Sequence, residues 1–518
     1  MKIKKLTGLL LALIIILNTL AGCGGQQSFL LYFALGDRPQ TLDPQLAQTA
    51  GSKTVVTALF EGLTRFNEKG EPVLAAAKSY TVSQDQKTYR FTLREGLEWS
   101  NGEALTAQDF VFGLTRALAP KTNAPEAEKL LCIQNAAAYR AGQKVMPAVA
   151  ALSKTEVEIT LAYPNDDLLQ TLTLPVALPC NEAYFNKCGG KYGLDADHLL
   201  TNGPFTLYSW ATDSHEDFAM RLNRSKSYNG SFKAAAGGVI FSCNGELKGN
   251  AKRVALGNVD FAYALAEEVT SEVQTIEPEN TSCLLVINRE SNVGSAKMCK
   301  ALAQSVHRNR LQNELSTQMN VTDRLLPSTL KIGTVLAKNI TEPAAAAYDP
   351  ESALQLYKAS AKLQEPGDTA ILYAGESDGK LAALVAEGFQ QSLSFFVNTK
   401  QCTSTAELLQ KIADKDFKLA ILPLTAGSND AADYLLQLSR YNLTKANFAA
   451  PLQQATGKSQ AARVAAAEQA LKTIAADGTV LPLAHRYDVL AYSKSYTCPN
   501  FSAYAAVPDL ALVSLKNN

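Results

Sequence analysis

With 518 residues, 47% of them apolar, and 49 basic side chains balancing 49 acidic ones, the chain can bury a core divided among two or three domains. That balance offers no basic surface for a nucleic-acid backbone, and 19 tyrosines, 19 phenylalanines and two tryptophans spread along the chain exclude disorder.

The first segment reads as an export signal. Lys2, Lys4 and Lys5 precede an apolar run from Leu9 to Leu17, and Leu20-Ala21-Gly22-Cys23 closes it with small residues before a cysteine, which is the pattern of a lipobox. The apolar stretch is shorter than the roughly 20 residues that span a bilayer. Residues 1–22 are therefore expected to be removed, and Cys23 to carry the lipid that tethers the mature chain to a membrane, with residues 23–28 as the tether. Removal takes three lysines and no acid, leaving 46 basic against 49 acidic side chains. Eight cysteines follow Cys23. An even number suits an exported protein, and the spacing of Cys180 and Cys188 leaves a local bridge open beside the alternative of buried thiols.

Strand and helix patterns alternate along the mature chain. Tyr89, Phe91 and Leu93 share one face of a strand, Ser100-Asn101-Gly102 turns the chain, and Thr106 with Asp109 forms a capping box that Leu105 and Phe110 staple. Pro120 ends that helix. Val157, Ile159 and Leu161 mark a second half-buried strand. Asp349-Pro350 opens a helix, residues 369–373 are extended, 379–393 helical and 417–424 extended. An alanine-rich helix from about Ala461 stops at Gly478. The class is α/β.

Catalytic constellations are incomplete. No GxSxG elbow occurs, and Gly457-Lys458-Ser459 lacks the earlier glycine of a phosphate loop, Leu452 standing there. His215-Glu216 has Ala219 where a zinc protease needs its second histidine. Four scattered histidines, at 198, 215, 307 and 485, complete a pattern that points to no enzyme, no cofactor and no metal site.

A succession of segments carries a resemblance: PQTLDP at Pro39 to Pro44, LFEGLTRF at Leu59 to Phe66, YRFTLREGLEWSNGEALTAQDFVF at Tyr89 to Phe112, TNGPF at Thr201 to Phe205, GNVDFAY at Gly257 to Tyr263, Asn288 after an apolar strand, and YDPESALQLY at Tyr348 to Tyr357. In order and spacing they resemble the peptide-binding class of ABC-transporter solute-binding proteins, the bacterial extracellular solute-binding family 5. The resemblance implies a two-lobed periplasmic-binding-protein-like fold of type II with an extra inserted domain. Residues 29–62 and 175–282 would form lobe I, 63–174 the inserted domain, 283–490 lobe II, and 491–518 the return to lobe I.

It further implies an exported, monomeric receptor, held on the outer face of the cytoplasmic membrane or in a periplasm, that closes on a peptide or other small solute and delivers it to ABC permease subunits. The alternative is a membrane-tethered peptide sensor or adhesion lipoprotein on the same fold. Two loops become candidate ligand contacts: Thr49, Ala50 and Gly51, and the small polar run Thr425, Ala426, Gly427, Ser428 and Asn429, whose side chains leave backbone groups open to a ligand. Departures accompany the match. Cys299 and His307 replace an arginine and an aspartate of the family pattern, although Arg308 stays. Gly427 stands where peptide-binding relatives hold the peptide's amino group with an aspartate, so that anchor is absent unless Asp430 replaces it, and N-acetylated peptides are expected to bind nearly as well as free ones.

Overall fold

The computed structural model describes residues 29–516 apart from 37, 48, 166, 212–217, 244–246, 266–267, 277–278, 316–318, 361–368, 427–429, 457, 488 and 499–506. The expected signal segment, Cys23, its tether and Gly427 to Asn429 thus lie outside the described residues.

Two mixed sheets organise the chain. The first holds seven strands in the order Gln274–Ile276, Val489–Tyr492, Phe261–Ala264, Leu30–Ala34, Gly238–Ser242, Phe218–Arg224, Phe205–Trp210. Its two faces are chemically unlike. Phe33, Phe241, Phe261 and Tyr492 point into an aromatic core, whereas Ala34, Ala262, Ala264 and Ala491 let the short helix Asn250–Ala255 pack close on the other side.

The second sheet has six strands in the order Met319–Val321, Val480–Tyr487, Glu279–Ile287, Leu419–Thr425, Ala370–Tyr373, Asn398–Gln401. Its central strands are apolar without a polar face because both sides are covered by helices. Alternate residues fall into separate cores: Leu284, Val286, Ala420, Leu422 and Leu424 on one side, Cys283, Leu285, Ile287, Leu419 and Ile421 on the other. Each sheet with its helices is one lobe of a two-lobed α/β fold.

A third sheet, Ala77–Val82, Thr88–Leu93, Glu156–Thr160 and Val149–Ser153, lies within residues 63–174, the segment expected to form the insert. Phe91 faces Val157 and Tyr89 faces Ile159 across it, burying the alternating residues as their spacing predicts. The helix Ala107–Leu118 packs on that face. Asp109 accepts the Thr106 N–H at 2.7 Å and its hydroxyl at 3.1 Å, and both residues of the staple, Leu105 and Phe110, are buried. Phe91, Trp99, Phe110 and Val157 join the same apolar cluster as Phe33 and Phe241 of lobe I. The insert has its own sheet but shares lobe I's core, so its segment and lobe I form one body.

No apolar cluster among the described residues crosses from that body to lobe II. The strands on either side of the connection pair as a two-stranded ribbon: Ile276 with Leu490 at the edge of the first sheet, and Glu279 with Tyr487 in the second. This moves two expected boundaries. Position 282/283 falls inside the strand Glu279–Ile287, and 490/491 inside Val489–Tyr492, because strand pairing continues to the ribbon. The chain therefore changes lobes between Ile276 and Glu279 and between Tyr487 and Val489.

The local expectations for lobe II hold closely. Asp349 accepts the Ser352 N–H at 3.0 Å at the start of Pro350–Ser360, and Gln460–Asp477 ends on Gly478 with φ 74°. Cys180 and Cys188 are free, buried thiols rather than a bridge.

Candidate functional site

Thr49 caps the helix Ala50–Leu59, its hydroxyl accepting the Ser52 N–H at 3.1 Å. Ala50 and Gly51 supply first-turn N–H groups that no carbonyl inside the helix satisfies. On the other lobe, Thr425 ends its strand exposed, opposite Thr281 and close to the ribbon; the two hydroxyls bond at 2.9 Å. The Ala426 side chain is buried, and its N–H donates to the Asn280 carbonyl at 2.7 Å. That amide is satisfied within its own lobe. No hydrogen bond joins the two loops among the described residues.

The next residue is the informative one. Asp430 caps Ala431–Ser439, accepting the N–H groups of Ala432 at 2.8 Å and Asp433 at 3.1 Å, and it pairs with Arg463 of the helix Gln460–Asp477. Burial, with Asp433 beside it, pushes its carboxyl up to about 7 against the pull of Arg463. Asp430 is held in its own lobe by the cap and the ion pair.

Asp430 and Arg463 border a cavity of about 160 Å³ between the two bodies, which Thr49, Ala50, Gly51, Thr425 and Ala426 do not line. Tyr163, Asn165, Asp167 and Gln170 line it from the insert, and Asp430, Asp433, Thr456 and Arg463 from lobe II. Cys132 lies on the insert side, where burial pushes its thiol up to about 11 and keeps it unreactive. No motif marks this wall, because Asp167 and Arg463 are far apart in sequence and belong to no recurrent pattern.

The resembling motifs have a different role. Gly203 donates to the Leu59 carbonyl at 2.8 Å and approaches so closely that an added Cβ would lie 2.5 Å from the Leu59 carbonyl carbon. Beside it Asn202 brackets Glu61, accepting its N–H at 3.1 Å and donating to its carbonyl at 2.8 Å. Asp43 of PQTLDP is buried against Arg116 at 2.9 Å, Asp260 accepts the Tyr32 N–H at 2.8 Å, and Asn288 donates to the Phe417 carbonyl at 2.8 Å. His307 still caps its helix through Nδ1, which accepts from the Arg310 N–H at 3.2 Å, and Arg308 ties down three carbonyls. These segments lock the frame; none of them lines the cavity.

The family profile described as bacterial extracellular solute-binding proteins, family 5, middle part, matches residues 71–444. The chain belongs to this family. It is 28% identical over 406 residues to the dipeptide-binding protein of Lactococcus lactis, covering 74% of this chain and 73% of that one. With the oligopeptide-binding protein OppA of Bacillus subtilis it shares 35% over 175 residues, about a third of each. Solved structures agree in fold: the substrate-binding domain of an oligopeptide ABC transporter from Bacillus anthracis has a TM-score of 0.80 at 21% identity, covering 95% of this family-5 chain and 99% of that one. The murein tripeptide binding protein of Escherichia coli gives 0.81 at 20% identity, over 95% and 99%, and its unliganded open form 0.67, also at 20% identity, over 94% and 98%.

Proposed function

We propose that this family-5 protein is an extracytoplasmic receptor that encloses a short peptide by closing lobe II onto the body formed by lobe I and the insert, and hands it to the permease subunits of an ABC importer. The observation that carries this is that, among the described residues, the apolar core divides into two bodies, the chain passing between them after Ile276 and Tyr487, with a polar cavity between them. A hinge of this kind moves rigid halves without disturbing either core. The names of the relatives support peptides as the solute class.

The protein acts by binding, without catalysis or cofactor, as a monomer. Thr49, Ala50, Gly51 and Thr425, with Gly427, Ser428 and Asn429, face the solute from the two sides, while Ala426 shapes its loop. Lipid on Cys23 holds the receptor at the membrane. Replacing Cys23 by alanine abolishes incorporation of labelled fatty acid and releases the protein from membranes; label retained on the variant rejects the anchor.

A thermal-shift screen of mixed peptides, followed by mass spectrometry of what co-purifies, tests the solute class. Peptides raise the melting temperature. A melting curve unmoved by saturating peptides of several lengths, but shifted by another solute class, rejects peptides and leaves the receptor.

A further inference from the structure

Lobe II carries a second recess, built from residues none of which borders the cavity between the bodies. It is an open groove of about 700 Å³, walled by the helix Arg308–Glu314, the end of the strand Met319–Val321 and the segment 345–348. That size falls within the roughly 300–1,000 Å³ of small-molecule sites. One side chain holds the walls together: Arg308 donates to the carbonyls of Thr322 at 3.4 Å, Ala346 at 3.3 Å and, on the adjoining strand Val480–Tyr487, Pro482 at 3.0 Å. The groove is therefore shaped before any guest arrives.

Tyr348 gives the groove an aromatic platform. Its ring is 40% exposed and lies 4.3 Å from the His307 ring, centroid to centroid, while His307 is itself pinned by the Arg310 N–H, donated to Nδ1 at 3.2 Å. His307 is one of the departures from the family pattern, so the prop behind this ring belongs to this chain. Around it Asn309, Gln312 and Asp323 are exposed, and among the described residues no hydrogen bond within the protein engages their side chains. Asn309 and Gln312, three positions apart, share one face of their helix.

The chemistry selects a kind of guest. Arg308 spends its donors on carbonyls and is faced by the charge of Asp323, so the two offset each other and favour neither cation nor anion. An apolar guest would strip water from Asn309, Gln312 and Asp323 and give nothing back. A neutral molecule with many hydroxyls and one apolar face meets both demands: side-chain amides and a carboxylate offer donors and acceptors to adjacent hydroxyls, and the C–H face of a pyranose covers an aromatic ring. We propose that this groove is a saccharide site, in which a short neutral oligosaccharide stacks one ring on Tyr348 and is bound through its hydroxyls by Asn309, Gln312 and Asp323. The site is separate from the interlobe cavity and does not depend on the peptide reading.

Calorimetric titration of the full-length protein, in a detergent without a sugar headgroup, with cellotriose, maltotriose and chitotriose tests it. At least one of the three binds with a dissociation constant of about 1 mM or tighter. Tyr348→Ala, and the double variant Asn309→Ala with Gln312→Ala, each weaken that binding by about tenfold or more, whereas Tyr348→Phe keeps the platform and binds within about threefold of the wild type. Arg463→Gln, which alters the interlobe cavity alone, leaves the saccharide affinity unchanged. Melting curves establish that each variant is folded. The site is wrong if none of the three sugars saturates the wild type up to about 10 mM, or if Tyr348→Ala binds as the wild type does. It is equally wrong if Arg463→Gln abolishes the binding, since the sugar then occupies the space between the bodies; the peptide receptor stands in every case.

Discussion

Asp509 shows how much one buried charge carries. Its carboxylate accepts from Arg65 Nε at 2.9 Å; Arg65 also reaches Glu61 at 3.2 Å and stacks 4.3 Å over the Phe232 ring. Burial raises the Glu61 carboxyl above its usual range, opposed mainly by the charge of Arg65, so the network depends on that cation being held in place. Asp509→Asn strips a partner from a guanidinium that is 6% exposed and is expected to destabilise the protein by about 3–5 kcal/mol, as removal of one member of a buried pair does. Chemical denaturation measures the loss, and a cost below about 1 kcal/mol contradicts the assignment. Asp430 gives a proton-linked prediction. Its folded value near 7 lies above the unfolded value of about 3.9, so the folded state binds the proton more tightly. Its contribution to stability is full below about pH 4 and is lost as pH rises toward 7. Asp430→Asn keeps a good cap and removes this titration. Melting temperatures across that range should move in favour of the variant as pH rises; parallel profiles would argue against the raised value.

Among the elements, the helix Ala107–Leu118 sets propensity against packing. Gly113 lies mid-helix, where alanine normally gains about 1 kcal/mol. An added Cβ there would stand 2.4 Å from the Leu178 carbonyl, on a segment that cannot yield without moving the chain between insert and lobe I. Gly113→Ala is therefore expected to lower the melting temperature in spite of its better helix propensity. Asp109→Ala, which removes half of the capping box, should cost about 1 kcal/mol by denaturant titration. The capping box, the staple, the Asp349 cap and the Gly478 stop were all legible in sequence because each is a contact between residues a few positions apart. By contrast, the boundaries at 282/283 and 490/491 were misplaced. An apolar strand such as LLVI reads the same in either lobe, and only its pairing partners assign it.

For the whole molecule, closure has measurable consequences. A ligand that binds the folded protein alone stabilises it by about 2.7 kcal/mol at a hundredfold excess over its dissociation constant. If the two bodies pivot on the ribbon, small-angle scattering should record a smaller radius of gyration on adding peptide, with unchanged circular dichroism because neither core repacks. A radius unaffected by saturating ligand would exclude the hinge. The thiols offer a second test of the described state. Burial pushes Cys132 and Cys299 up to about 11 and Cys180 and Cys498 up to about 12. These four should resist a thiol reagent in mildly alkaline buffer and react only after denaturation. Rapid labelling of the native protein would mean a looser interior.

The sequence by itself determined the family, the α/β class, the caps and the alternating strands, because these depend on short-range periodicity and on motifs whose residues lock the frame to itself. Asn202 with Glu61, and Gly203 against Leu59, are examples: they identify the scaffold and are silent about its guest. Only the tertiary structure decided that the insert shares lobe I's core, that Ala426 turns its amide inward, that Asp430 is occupied, and that Asp167 shares a cavity with Arg463. The physical reason is distance along the chain. A wall assembled from residues some 300 apart leaves no local pattern, since its side chains come together only after both bodies have folded and met.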